Sequence, residues 1–151
     1  MDDKISQVLQ FVEDNDVKFI KLEFCDIFGG RKNISIMSDT LERAFESGVS
    51  FDASAVPGFN NVTESDLFLV PDPATLSVLP WRPSQGRVAR FFCDIYRPDS
   101  TPFEGDSRAI LRKAVQYAKE EGYVCQVGSE CEFYLTELNE VGDPTTVPHD
   151  R

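Results

Sequence analysis

Ile20-Lys21-Leu22-Glu23-Phe24 alternates apolar with charged side chains, and Lys32-Asn33-Ile34-Ser35-Ile36 resumes the alternation beyond Gly29-Gly30. Successive side chains of a strand point to opposite faces, so each segment reads as a strand with one buried face. Gly29-Gly30 supplies the positive φ values that a tight connection requires, and the two strands read as a hairpin. On its amino-terminal side, Ile5, Val8, Leu9 and Val12 recur at helical spacing, which predicts an amphipathic helix over residues 3–14. On its carboxy-terminal side, Ser38 is placed to cap a short helix with the stripe Leu41, Ala44 and Phe45, which Gly48 ends.

Two further strands are expected at Leu67–Val70 and Val88–Tyr96. The intervening Pro71-Asp72-Pro73 and Pro80-Trp81-Arg82-Pro83 are too rich in proline for central strands. Asp99–Phe103 reads as a turn. Ala109–Glu121 then forms a helix with the stripe Ile110, Leu111, Ala114 and Ala118, capped by Asp106 or Ser107 and closed by Gly122. The first hundred or so residues make a compact sheet with helices on one face, an α+β arrangement. The helix and strand beyond are too small to bury their own apolar faces, so they read as the opening of a larger domain, and the chain as a fragment.

Composition narrows the function. The 151 residues are 41% hydrophobic with twelve Phe, enough for a real core. A formal net charge of −11 argues against nucleic acid, which needs a basic face, and against an anionic membrane surface. No apolar run approaches the ~20 residues that span a bilayer, and the amino terminus opens acidic without a signal-like apolar segment. Cys25, Cys93, Cys125 and Cys131 form no Cys-x-x-Cys pair. They read as core-facing thiols of a cytoplasmic protein rather than as a zinc or disulfide framework. His149 lies in a polar tail over Val141–Arg151 and has no assigned role.

Chemistry concentrates in Glu130-Cys131-Glu132-Phe133, within Val127–Thr136. Read as a strand, this segment projects Glu130 and Glu132 on one face and Cys131, Phe133 and Leu135 on the other. Two adjacent carboxylates raise each other's pKa unless a cation neutralises them, and hard divalent ions such as Mg2+ or Mn2+ prefer oxygen donors. The competing reading is an amphipathic strand whose glutamates merely face water.

Several collinear segments carry a resemblance. Phe51-Asp52-Ala53-Ser54-Ala55, Glu64-Ser65-Asp66, Pro71-Asp72-Pro73, Cys93-Asp94-Ile95-Tyr96, Pro102-Phe103-Glu104-Gly105-Asp106 and Gly128-Ser129-Glu130-Cys131-Glu132-Phe133 resemble, in order and spacing, the amino-terminal portion of a type I glutamine synthetase. The resemblance implies an ubiquitin-like β-grasp domain over residues 1–103 and the start of a catalytic domain over residues 104–151. It implies an ATP-dependent ligase that phosphorylates the γ-carboxylate of glutamate and lets ammonia displace the phosphate. It implies Mg2+ or Mn2+ ions held partly by Glu130 and Glu132, one for each of two metal sites. Asp52 matches an aspartate that enters the neighbouring subunit's active site to bind ammonium and take its proton. Ser54 and Asp66 would support that loop or an interface. Stacked rings with shared active sites are implied, with the nucleotide site lying beyond Arg151.

The chain departs from the family pattern in two places. Asp52-Ala53-Ser54-Ala55 stands where Asp-Gly-Ser-Ser is usual, and Gly128-Ser129-Glu130-Cys131-Glu132-Phe133 where Gly-Pro-Glu-Pro-Glu-Phe is usual. The first change restricts the backbone and removes a hydroxyl, the second keeps both carboxylates but loses two rigidifying prolines, and together they leave room for a γ-glutamyl-amine ligase acting on another amine. A non-catalytic β-grasp interaction module is the reading from outside enzymology. It has no need of a paired-carboxylate segment appended to its compact domain.

Overall fold

A computed structural model of the chain describes residues 3–59, 65–82 and 85–148. Glu64, Pro83 and His149 lie outside the described residues. The amphipathic opening segment forms helix α1 (Asp3–Asp14), with Val8 and Val12 buried. Strand β1 (Val17–Cys25) follows and pairs antiparallel with β2 (Arg31–Met37), with Leu22 opposite Ile34. Asp26 shapes the connection: its Oδ1 accepts from Phe28 N–H at 3.0 Å and Gly30 N–H at 2.7 Å. Only Gly29 takes a positive φ there, at 78°. Gly30 is needed for a different reason, since a Cβ on it would stand 2.6 Å from Asp26 Oδ2.

Helix α2 (Leu41–Ser47) is preceded by a 3₁₀ turn, Ser38–Thr40, so Ser38 does not cap it. The Thr40 hydroxyl instead donates to Met37 C=O at 2.8 Å. Gly48, at φ 70°, ends the helix as expected. The remaining strands of the main sheet are β3 (Val49–Asp52), β4 (Asp66–Pro71), β5 (Ser77–Val78) and β6 (Arg87–Tyr96). Their order is β2-β1-β6-β4-β3, with β5 also paired to β6. β1 runs parallel to β6 and the other pairs are antiparallel.

Alternation along the central strands defines two faces. Ile20, Leu22 and Phe24 of β1, Leu67 and Leu69 of β4, and Ala89, Phe91, Cys93 and Ile95 of β6 are buried against α1 and α2. Phe91 meets the Phe45 ring edge-on at 5.6 Å. The other face carries Glu23, Arg90, Phe92 and Asp94. There the Arg90 guanidinium reaches Glu23 Oε2 at 3.2 Å and lies 4.5 Å over the Phe92 ring.

Helix α3 (Ser107–Glu120) forms as expected, capped by Asp106 and followed by Gly122 at φ 85°. The expected strand Val127–Thr136 does not form. Residues 123–135 adopt no regular element, and the chain next pairs as a small ribbon, β7 (Thr136–Leu138) with β8 (Pro144–Pro148), the second strand lying inside the stretch read as a polar tail. A lone strand cannot satisfy its backbone groups, and no described strand runs beside 127–135. Its apolar side chains are correspondingly outside, Phe133 being 72% exposed. The thiols also divide: Cys93 is buried and Cys25 half-buried, whereas Cys125 and Cys131 are exposed. No described helix is long and apolar enough to cross a membrane.

Candidate functional site

Asp52 ends β3. The strand alternates half-buried and exposed positions, with Val49 and Phe51 turned in and Ser50 and Asp52 turned out. Phe51 lies 4.9 Å from the Phe24 ring, and this anchor holds the strand end so that the next side chain meets solvent. Asp52 Oδ1 accepts two bonds from Ser54, from N–H at 2.9 Å and from the hydroxyl at 2.6 Å. Hydrogen bonds to the charged form favour it, and the Ser54 hydroxyl and amide hold the Asp52 carboxyl below its ordinary range. Asp52 thus caps the 3₁₀ turn Ala53–Ala55 through Ser54 N–H, while the Ser54 hydroxyl helps set its ionisation.

Ala53 is fully buried, and its N–H donates to Ser65 C=O at 2.7 Å, extending the β3–β4 pairing by one step. Among the described residues the non-glycine positive φ values belong to Asp16 and Ser100. Ala53 therefore sits in backbone space open to any residue, and the expected restriction from a missing glycine does not arise here. Asp66 opens β4 directly opposite Asp52. Opposed side chains on antiparallel strands stand about 4.5–5.5 Å apart at Cβ, and like charges in that position repel. The structure therefore brings together Asp52, Ser54 and Asp66, which are separated by up to fourteen positions in the sequence.

Glu130 and Glu132 are both exposed, within the irregular segment after α3. Among the described residues no group of three His, Cys, Asp or Glu side chains is clustered for a metal. Their carboxylates are the right donor type for Mg2+ or Mn2+. Two carboxylates supply at most four of the roughly six oxygens such an ion takes, so the donor set fits a metal only as part of a larger one.

A second polar cluster was not legible beforehand. Arg108, at the start of α3, reaches Asp72 Oδ2 through Nη2 at 2.6 Å and Asp94 Oδ1 through Nε at 3.0 Å. Arg112, one turn on, also pairs with Asp94. Asp106 is 2% exposed, and burial pushes its carboxyl up. The only sequence signal was an aspartate in each of three of the collinear segments.

The mixed sheet, with two helices on its core face and a third helix leading away, defines a β-grasp domain joined to the beginning of a second domain. Comparison with known proteins agrees. Residues 16–98 match the glutamine synthetase β-grasp domain, and residues 104–150 match the glutamine synthetase catalytic domain. This chain belongs to the glutamine synthetase family. It is 48% identical over 144 residues to a glutamine synthetase of Clostridium saccharobutylicum, covering 95% of this chain and 32% of the relative. It is 47% identical over 139 residues to one from Methanosarcina mazei, covering 92% of this chain and 31% of that one. The chain thus spans about a third of the length of these curated relatives. Among solved structures, a cryo-EM Plasmodium falciparum glutamine synthetase superposes with TM-score 0.69 at 23% identity, over 78% of this chain and 23% of that one. A GmaS/ADP complex superposes with TM-score 0.67 at 21% identity, over 76% and 26%. At these identities the structural likeness speaks for the fold.

Proposed function

We propose that this chain supplies the amino-terminal portion of a cytoplasmic, ATP-dependent glutamate–ammonia ligase, with residues 1–103 as its β-grasp domain and 104–151 as the opening of its catalytic domain. The observation that carries this is the tandem match of both family domains on one chain. A free-standing β-grasp interaction module accounts for the first match only.

In this reading Glu130 and Glu132 each lend a carboxylate to one of two Mg2+ or Mn2+ sites, completed by residues further along the protein. When bound, the ions neutralise the phosphates of ATP and help align the γ-carboxylate of glutamate. Asp52 faces the active site of a neighbouring subunit in a ring and attracts ammonium. The Ser54 bonds that keep Asp52 ionised favour holding the cation, while the same lowered pKa makes Asp52 a weaker acceptor for the ammonium proton. Asp66 doubles the negative charge at the end of the β3–β4 pairing, which further favours a small cation there. Ala55 in place of the usual serine favours a second reading, a γ-glutamyl-amine ligase with the same acyl-phosphate chemistry and another amine as nucleophile.

Residues 1–151 alone are expected to be inactive, because they carry too few metal ligands to bring the substrates together. The test is an assay of the pure 151-residue chain with ATP, glutamate, ammonium and Mg2+. No glutamine should form. Glutamine formation above the uncatalysed rate would overturn that part of the proposal.

A further inference from the structure

Asp72, Asp94 and Asp106 have no part in the proposed chemistry, yet each belongs to a segment that carries the family resemblance. They lie just after β4, within β6 and before α3, and all three converge on the first turn of α3. Asp106 Oδ1 accepts from Arg108 N–H at 3.0 Å and its Oδ2 from Ile95 N–H at 3.3 Å, so one side chain caps the helix and ties it to β6. Asp72 Oδ1 accepts from Ala74 N–H at 3.0 Å, which orients the carboxylate whose Oδ2 takes Arg108. Asp94 points away from the core because Cys93 and Ile95, its neighbours on β6, point into it. It meets both Arg108 and Arg112.

Apolar packing does little to hold α3 in place. The helix has no buried residue, and Ile110 and Leu111 are 52% and 63% exposed. A cavity of about 690 Å3, lined in part by Cys25, Ile27, Phe92 and Leu111, separates it from the sheet and the β1–β2 hairpin. A helix standing off a sheet in this way is oriented by its polar contacts. A guanidinium can serve two carboxylates at once because its N–H donors lie in a fixed planar fork, which an ammonium lacks.

We infer that Arg108 is the latch of an ionic joint between the two domains, setting the direction in which α3 leaves the sheet. Arg108 is a positioning residue: it decides where the chain leading to residues 123–135, and so Glu130 and Glu132, is carried relative to the β-grasp sheet. The inference stands on the contacts above and does not depend on the proposed reaction.

The joint is about three-quarters shielded at Arg108, Asp72 and Asp94, so salt reaches it in part. The experiment is hydrogen–deuterium exchange on the 151-residue chain, comparing amides of α3 with those of β1 and β6. Arg108→Met is expected to speed exchange in α3 about tenfold while the sheet keeps its protection. Arg108→Lys, which keeps the charge but not the fork, is expected to restore only part of the α3 protection. About 1 M NaCl, where the screening length falls to about 3 Å, is expected to loosen α3 in the wild type and to add little in Arg108→Met. Unchanged α3 exchange in Arg108→Met would overturn the inference. So would full rescue by lysine, or equal loss of protection in helix and sheet.

Discussion

Asp52 and Asp66 face each other where strands β3 and β4 end and begin, two carboxylates on neighbouring strand ends. Opposed like charges cost stability in an antiparallel pair, so this opposition is not there to hold the sheet together. The burden of the pairing falls inward, on Phe51 against Phe24 and on the buried Leu67 and Leu69. The outward side is left with two carboxylates, and Ser54 favours the charged form of one of them, Asp52.

That influence is measurable. Ser54→Ala removes the 2.6 Å hydroxyl bond to Asp52 and leaves the backbone bond. The Asp52 pKa, followed by NMR titration of its carboxyl carbon, should rise toward the ordinary aspartate value. Because the folded pKa is depressed, Asp52 contributes stability above its unfolded pKa and loses it as pH falls through the folded one. An unchanged titration in Ser54→Ala would show that the hydroxyl bond does not set the ionisation.

Asp106 has the opposite sign. Burial raises its pKa, so the fold favours the neutral form, and its contribution to stability diminishes as pH rises from the unfolded value through the folded one. Asp106→Asn should abolish that part of the pH dependence in urea unfolding measured on either side of the window. Asp106→Ala should cost about 1–2 kcal/mol, since the α3 cap is lost with it. A pH profile identical in Asp106→Asn and wild type would contradict this assignment.

The core offers a sharper test of which face of the sheet carries the fold. Phe91 is fully buried at the centre of β6 and meets Phe45 edge-on. Phe91→Ala should lower the unfolding free energy by about 3–5 kcal/mol, a large part of what a domain of this size has to lose. Phe92, its neighbour on the open face, is only half-buried, and Phe92→Ala should cost clearly less in the same urea titration. Equal losses would mean that the face assignment is wrong.

Much of the sheet was legible because apolar alternation and helical spacing are local signals. Ile20, Leu22 and Phe24, the α1 stripe and a cap for α3 at Asp106 or Ser107 all announced themselves within a few residues, and the structure selects Asp106. β3 did not, since Val49–Asp52 spans only four residues and gains its strand character from β4. The 127–136 alternation misled for the converse reason. Period-two patterning describes a strand once a partner exists, and none of the described strands provides one there. Cys125 and Cys131 proved exposed because they flank or occupy that same unpaired segment. At the candidate site, Asp52 and Ser54 could be named from their motif, but their two hydrogen bonds and the opposition of Asp66 depend on the turn and on strand register. Arg108 went unnoticed because its partners lie 36 and 14 positions away. No local pattern encodes such a meeting.

The central claim is that Asp52 serves one subunit's active site while Glu130 and Glu132 serve another's, and hybrid oligomers of the longer protein test it most directly. Asp52→Ala and Glu132→Ala should each abolish glutamine synthesis when assembled alone. Dissociated, mixed in equal amounts and reassembled, they should regain about a quarter of wild-type activity, because that fraction of shared sites receives one intact half from each parent. Two inactive parents that give an inactive mixture would contradict the shared site, and full activity in Glu132→Ala would contradict the metal assignment.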